Sequence, residues 1–245
     1  MKRWFEVLWL IVRRELGVYL RSPLGFVVMA TVLLLDGLLF NVYALGGTEM
    51  RSSTVLALFF YFSSGTTMAA SLFIAMRAMA EERQTGSAPL LLTAPVRESQ
   101  IVLGKFLGGW LFLGIVTAST VYMPLLVFVN GTVTAGQIAA GYLGLALLGS
   151  ACMAIGSLGS ALAPNQTLAV LLSAAMMVLL IACWWIGRVS SPPMSEVAAF
   201  VGLYHKHMPP FMHGVVSSSH VAYYLLVTYT FLQGSIHVLE ARRWR

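Results

Sequence analysis

Between two long apolar runs the chain carries EERQTGSAPLLLTAPVRESQIVLGK, residues 81–105. Glu81, Glu82 and Arg83 place both signs of charge at the end of the first run, and Lys105 opens the second. Gly86 permits a turn after Thr85, Leu90, Leu91 and Leu92 form a short apolar block, and Pro95 stops it. Carboxylates and cations at helix ends can form ion pairs, but these residues cannot cradle a nucleotide. A phosphate loop needs G-x-x-x-x-G-K-[ST], and Gly104-Lys105 lacks both the upstream Gly and the following Ser or Thr. Residues 87–94 read as a short helix carried between two long ones, a lever that would move both when pushed. An ordinary loop with one turn of interfacial helix fits the same residues.

Two other sets of residues invite chemistry. Asp36, with Asn41 five residues on, falls inside an apolar run, where a carboxylate costs about 2.5–3.5 kcal/mol on insertion scales and therefore faces protein or water. It either lines a path or a seam between subunits, or packs through hydrogen bonds. His205, His207, His213 and His220 crowd one loop, but a metal there would need residues converging across Pro209-Pro210, with Glu196 as the nearby acid. No metal site is expected. No H-E-x-x-H is present, and no set of buried nucleophile, base and donor can be named.

The elements that hold these residues belong in a bilayer. The chain has 245 residues, 58% of them hydrophobic and 10% charged, with mean hydropathy +0.82. Six runs approach the roughly 20 residues needed to cross hydrocarbon: 24–45, 54–79, 101–129, 136–162, 167–187 and 217–239. They lack the alternation of a β-barrel, so the fold class is an all-α polytopic membrane protein forming one domain over 1–245. Twelve of the 15 Lys and Arg flank the ends that six crossings bring to one side, which predicts cytoplasmic N- and C-termini. The net charge of +6 is thus a topology signal and implies no nucleic-acid partner. Residues 1–22 read as an amphipathic elbow on the membrane, with Phe5, Trp9, Val12, Leu16 and Leu20 on one face and Arg3, Arg14 and Arg21 near the other. Pro124 is expected to kink the third span. Residues 188–216 read as one or two short interfacial helices broken at Pro209-Pro210. Gly104-x-x-x-Gly108 and Gly156-x-x-x-Ser160 read as close-packing positions.

The pattern E-E-R-x-x-G-[ST]-x-x-x-L-L-x-x-P-V-x-x-x-x-I-V-L-G-K resembles the coupling region of ABC-2-type permeases, the membrane subunits of one class of ATP-binding cassette transporters. Arg14-Glu15-Leu16, Tyr19 and Ser22-Pro23-Leu24 resemble the start of gliding-motility-associated and copper-maturation permeases. His207, Phe211, Gly214, Tyr223-Tyr224 and Leu239 with Arg242-Arg243-Trp244 are similar to the tail of the gliding-associated ones. The resemblance implies a type V exporter-like fold in a bacterial inner membrane, with a coupling helix in 81–97 that docks on a separate ATPase. ATP and Mg would be bound there, and this chain would carry no cofactor and catalyse nothing. It implies a second permease copy or homologue as partner, and places Glu15, Glu81, Glu82, Arg83, Gly86, Leu90, Leu91, Leu92, Pro95, Gly104 and Lys105 in the coupling region. It also implies an extracytoplasmic accessory subunit meeting His207, Phe211, His213 and Gly214. Export of a substrate is the function expected; passing ATP-driven motion to an outer partner without transport is the alternative.

Overall fold

The computed structural model of the protein describes residues 2–45, 51–86 and 96–243, and every regular element among them is helical. Each segment thus closes its own backbone hydrogen bonds, as hydrocarbon requires. Helix α1 (Lys2–Arg21) stops at Ser22, whose hydroxyl accepts from the Gly25 amide and caps α2 (Pro23–Leu39) with Pro23 in its first turn. A π-helical turn, Phe40–Leu45, continues α2. Helices α3 (Ser52–Ala75) and α4 (Arg77–Gln84) form one rod interrupted at Met76. Likewise α5 (Glu98–Ala118) and α6 (Tyr122–Asn130) are separated by the turn 119–121. Thr134 and Asn165 cap α7 (Ala135–Leu162) and α8 (Gln166–Val189) through their side chains. The short helices α9 (Met194–Val201) and α10 (Met208–Met212) precede α11 (Ser218–Arg243).

Among the described residues five stretches are long and apolar enough to cross a membrane: Pro23–Val42, Ser52–Gln84, Glu98–Val129, Ala135–Leu162 and Gln166–Val189. The expected sixth, 217–239, does form a helix in α11, but Tyr223, Tyr224, Tyr229, Gln233 and His237 leave it less apolar than the others. The third stretch breaks just before Pro124, which sits in the first turn of α6, where a missing N–H costs nothing. For the same reason Pro209-Pro210 begins α10 instead of breaking the outer segment; the break falls at 202–207.

Helix α7 is the centre. Its Gly, Ala and Ser residues let α3, α5, α8 and α11 approach closely, and most of it is buried. Helix α1 runs beside α5 in the same direction. The Gln100 side chain donates to the Trp4 carbonyl (3.0 Å), and Tyr19 stacks on Phe112 with ring centroids 5.3 Å apart. Between these contacts the glycines matter: a Cβ on Gly104 would lie 2.5 Å from Ile11 Cγ2, and one on Gly108 would lie 2.6 Å from Glu15 Cβ. The expected apolar face of α1 is therefore divided. Val12 is buried and Leu16 half-buried, whereas Phe5, Trp9 and Leu20 remain exposed.

Candidate functional site

The close passage of α1 over Gly104 and Gly108 brings Glu15 onto Lys105. Lys105 Nζ donates to Glu15 Oε1 at 3.2 Å and lies 2.8 Å from Glu82 Oε1 at the end of α4. One ammonium, only 5% exposed, thereby joins the consecutive helices α4 and α5 to α1, which is distant in sequence. Lysine suits this position because its three N–H donors can serve two carboxylates at once. Two charges this buried are retained only while paired, since desolvation costs several kcal/mol per ion. Beside them Tyr19 donates its hydroxyl to the Ile74 carbonyl at 3.0 Å. Burial, then the charge of Glu15, pushes the phenol above its ordinary range, so it stays a neutral donor.

Glu81 turns the other way. It takes both arms of Arg77, at 2.7 and 2.5 Å, as an i,i+4 pair along α4. Arg83 reaches across to α7, donating to the carbonyls of Ala161 (2.6 Å) and Ala163, while Arg242 from α11 donates to Leu162 at 2.8 Å. The orphan carbonyls at the end of α7 are thus satisfied by guanidinium groups from two other helices. Gly86 closes α4 at φ +73°, the left-handed conformation that ends helices.

The break at Met76 has a specific partner. Ser160 Oγ, fully buried on α7, accepts from the amides of Met79 and Ala80, both at 2.9 Å, and donates to the Met76 carbonyl at 3.0 Å. One hydroxyl replaces the helix bonds lost at the interruption. Gly156, one turn earlier, meets Ala75, and any Cβ there would lie 2.4 Å from the Ala75 Cβ. The stripe read as packing is also a hydrogen-bonding clasp.

Asp36 is buried, 3% exposed, and accepts from Ser63 (3.1 Å) and Thr66 (2.8 Å) on α3. Thr66 also lines a groove between α2 and α3 made of two adjoining cavities, of about 470 and 410 Å³, which share Leu35, Thr66 and Ala69. Asn41 lies in the π-helical turn and is exposed.

At the opposite end His207 is 1% exposed and Phe211 fully buried, packed over Gly144 of α7. This corrects their expected place on an outer surface: an aromatic core claims them, with His207 stacked on Tyr223 at 3.7 Å. His213 is exposed, and Gly214 forms a turn at φ +83°. His207 lies 2.9 Å from both the Phe200 carbonyl (through Nε2) and His220 Nδ1 (through Nδ1). Among the described residues no three of His, Cys, Asp and Glu cluster as metal ligands would.

The structure therefore brings Glu15, Glu82 and Lys105 together, with Glu81, Arg83 and Gly86 on the same short helix and its end. Leu90, Leu91, Leu92, Pro95 and the helix expected over 87–94 lie outside the described residues. Ser160, Tyr19 and Arg77 complete the site. Tyr19 lies in the stretch that resembles the start of gliding-motility-associated and copper-maturation permeases; nothing in the sequence marks Arg77 or the clasp by Ser160, because RAMAEER contains no Pro or Gly to announce the break. Among curated proteins no match is found. The profile of the family described as ABC-2 family transporter protein matches residues 26–232, from the second turn of α2 into the middle of α11. With most of the chain matched and an all-helical, membrane-spanning architecture around it, this protein belongs to the ABC-2 transporter family, whose chains form the transmembrane part of ATP-binding cassette transporters.

Proposed function

We propose that the chain is a permease subunit driven by ATP hydrolysed on a separate polypeptide, which docks on the segment joining α4 to α5. The observation that carries this reading is the Glu15–Lys105–Glu82 node. A push on the connecting segment reaches α4 at Gly86 and α5 at Glu98, and Lys105 makes those two helices and α1 move as one body. The interruption at Met76 lets that body tilt against α3, and Ser160 relays the tilt to the central helix α7. ATP and Mg belong to the partner in this account.

A second permease copy or homologue faces the α2–α3 groove, with Asp36 holding Ser63 and Thr66 behind its wall, and substrate moves outward along the seam. The basic flanks support cytoplasmic N- and C-termini, and the resemblance to ABC-2-type permeases supports a bacterial inner membrane as the location. The likeness of α1 and the tail to gliding-motility-associated and copper-maturation permeases supports a second reading, in which motion passes to an outer partner. The pinning of the outer segment favours it: Tyr223 and Tyr224 donate to the Val201 and Leu203 carbonyls. That partner would meet exposed His213.

The test is to purify the tagged chain from its native membrane in mild detergent, with whatever accompanies it, and compare wild type with Glu82→Ala. Lys105 keeps Glu15 in that variant, so the chain inserts and retains its ATPase, but hydrolysis no longer drives function. Wild-type function in Glu82→Ala would sink the coupling role.

A further inference from the structure

The face of α1 turned away from α5 carries a groove of about 650 Å³ lined by Leu10, Arg13, Arg14, Gly17, Val18 and Arg21. Arg13, Gly17 and Arg21 follow one another at every fourth residue, so they form a single stripe with a glycine between two arginines. All three arginines are exposed and have no hydrogen-bond or ion-pair partner among the described residues. The glycine is unexplained by packing. Gly17 sits in the interior of a 20-residue helix, where glycine lowers helix stability, yet no atom lies within 4 Å of where its Cβ would be. Gly104 and Gly108, by contrast, are each filled by a neighbouring helix. An open floor flanked by unpaired guanidinium groups fits a phosphate, which arginine grips through paired N–H donors.

Depth decides whose phosphate. Arg21 precedes Ser22, the cap of the first apolar crossing helix, so it stands at the edge of the hydrocarbon. At 1.5 Å per residue, Gly17 lies about 6 Å and Arg13 about 12 Å along α1 from that edge. Headgroups occupy the first several Å of this distance, and arginine side chains span the rest. Exposed Leu20, beside Arg21 at the hydrocarbon edge, flanks the stripe with an apolar side chain. We infer that Arg13, Arg14, Gly17 and Arg21 form a binding site for the phosphate of an anionic phospholipid headgroup. This requires only that α2 crosses a bilayer, so it stands apart from the ATPase coupling proposed above.

Native mass spectrometry of the full chain, offered equal amounts of phosphatidylglycerol and phosphatidylcholine, tests it. Wild type should retain phosphatidylglycerol in several-fold excess, and Arg13→Gln/Arg14→Gln/Arg21→Gln should bring the two lipids to parity. Gly17→Leu supplies the decisive contrast: covering the floor should lower the phosphatidylglycerol preference while the thermal midpoint holds or rises, because a better helix former replaces glycine. A preference unchanged in both variants overturns the inference. So does displacement of the lipid by glycerol phosphate at equal concentration, which would mark a small-anion site. Loss of a co-purifying ATPase from the triple variant, with lipid preference intact, would assign the groove to a protein contact and overturn it as well.

Discussion

Removing the ammonium of Lys105 would leave Glu15, buried, and Glu82, half-buried, facing one another. Lys105→Met should cost about 3–5 kcal/mol, the range for breaking a buried ion pair, read as a fall in the unfolding midpoint of the detergent-solubilised chain. Glu15→Gln/Lys105→Met/Glu82→Gln should recover most of it; a loss below about 1 kcal/mol in the single variant, as for an exposed pair, contradicts the burial. His207 yields a pH prediction. Burial holds it below the ordinary histidine range, with the charges of His220 and Lys206 lowering it further against the Phe200 carbonyl. The unfolded chain therefore takes up this proton more readily. The contribution is complete above about pH 6.5 and is lost as pH falls below that value. Lowering the pH from 7.5 to 5.5 should lower the midpoint, and His207→Gln should flatten part of that slope; an identical slope in the variant contradicts the assignment. Glu82 and Lys105 were legible as charges at helix ends. His207 was not legible as core, because histidines in a loop carry no periodicity to reveal which ring an aromatic cluster will enclose.

Helix existence and type could be read from long apolar runs, since lipid admits few alternatives. Helix interruptions could not. Met76 breaks a rod through a hydroxyl contributed by a residue 84 positions away, a tertiary effect with no local signature. Ser160→Ala removes the acceptor of two buried amides, each worth about 1–3 kcal/mol when left unsatisfied. Hydrogen exchange should then accelerate at Met79 and Ala80 while α3 and α7 keep their protection, and Ser160→Thr should restore much of it. Uniform exchange in Ser160→Ala would mean that the break is closed in another way. The approach of α1 to α5 was legible in the Gly104-x-x-x-Gly108 spacing, though the partner helix was not. Gly108→Val should unseat α1, because the new side chain would occupy the space of Glu15 Cβ and the Val12 carbonyl. Limited proteolysis within residues 2–21 should accelerate; unchanged cleavage contradicts the packing.

Across the whole molecule burial is uneven. Helix α7 is enclosed, while α2 and α8 leave most of their apolar surface uncovered. Single-chain sequence patterns cannot separate lipid-facing from subunit-facing apolar residues, since both are simply apolar. If a second copy faces the α2–α3 groove, Leu35→Cys on a Cys152→Ala/Cys183→Ala background should cross-link between copies in membranes, and Val178→Cys on α8 supplies a comparison at a second exposed face. The absence of any cross-link at Leu35 would remove the groove from the seam. The central claim is that force enters through α4 and is passed on by Glu82 and Lys105. It is tested most directly by isolating the native complex, reconstituting it, and measuring ATP hydrolysis together with the nucleotide-driven change in distance between spin labels at Gln84 and Leu162. The account predicts that the wild-type distance changes with nucleotide, and that Glu82→Ala hydrolyses ATP with the change abolished. An unaltered change in Glu82→Ala, or a chain that purifies with no ATPase under several extraction conditions, would contradict it.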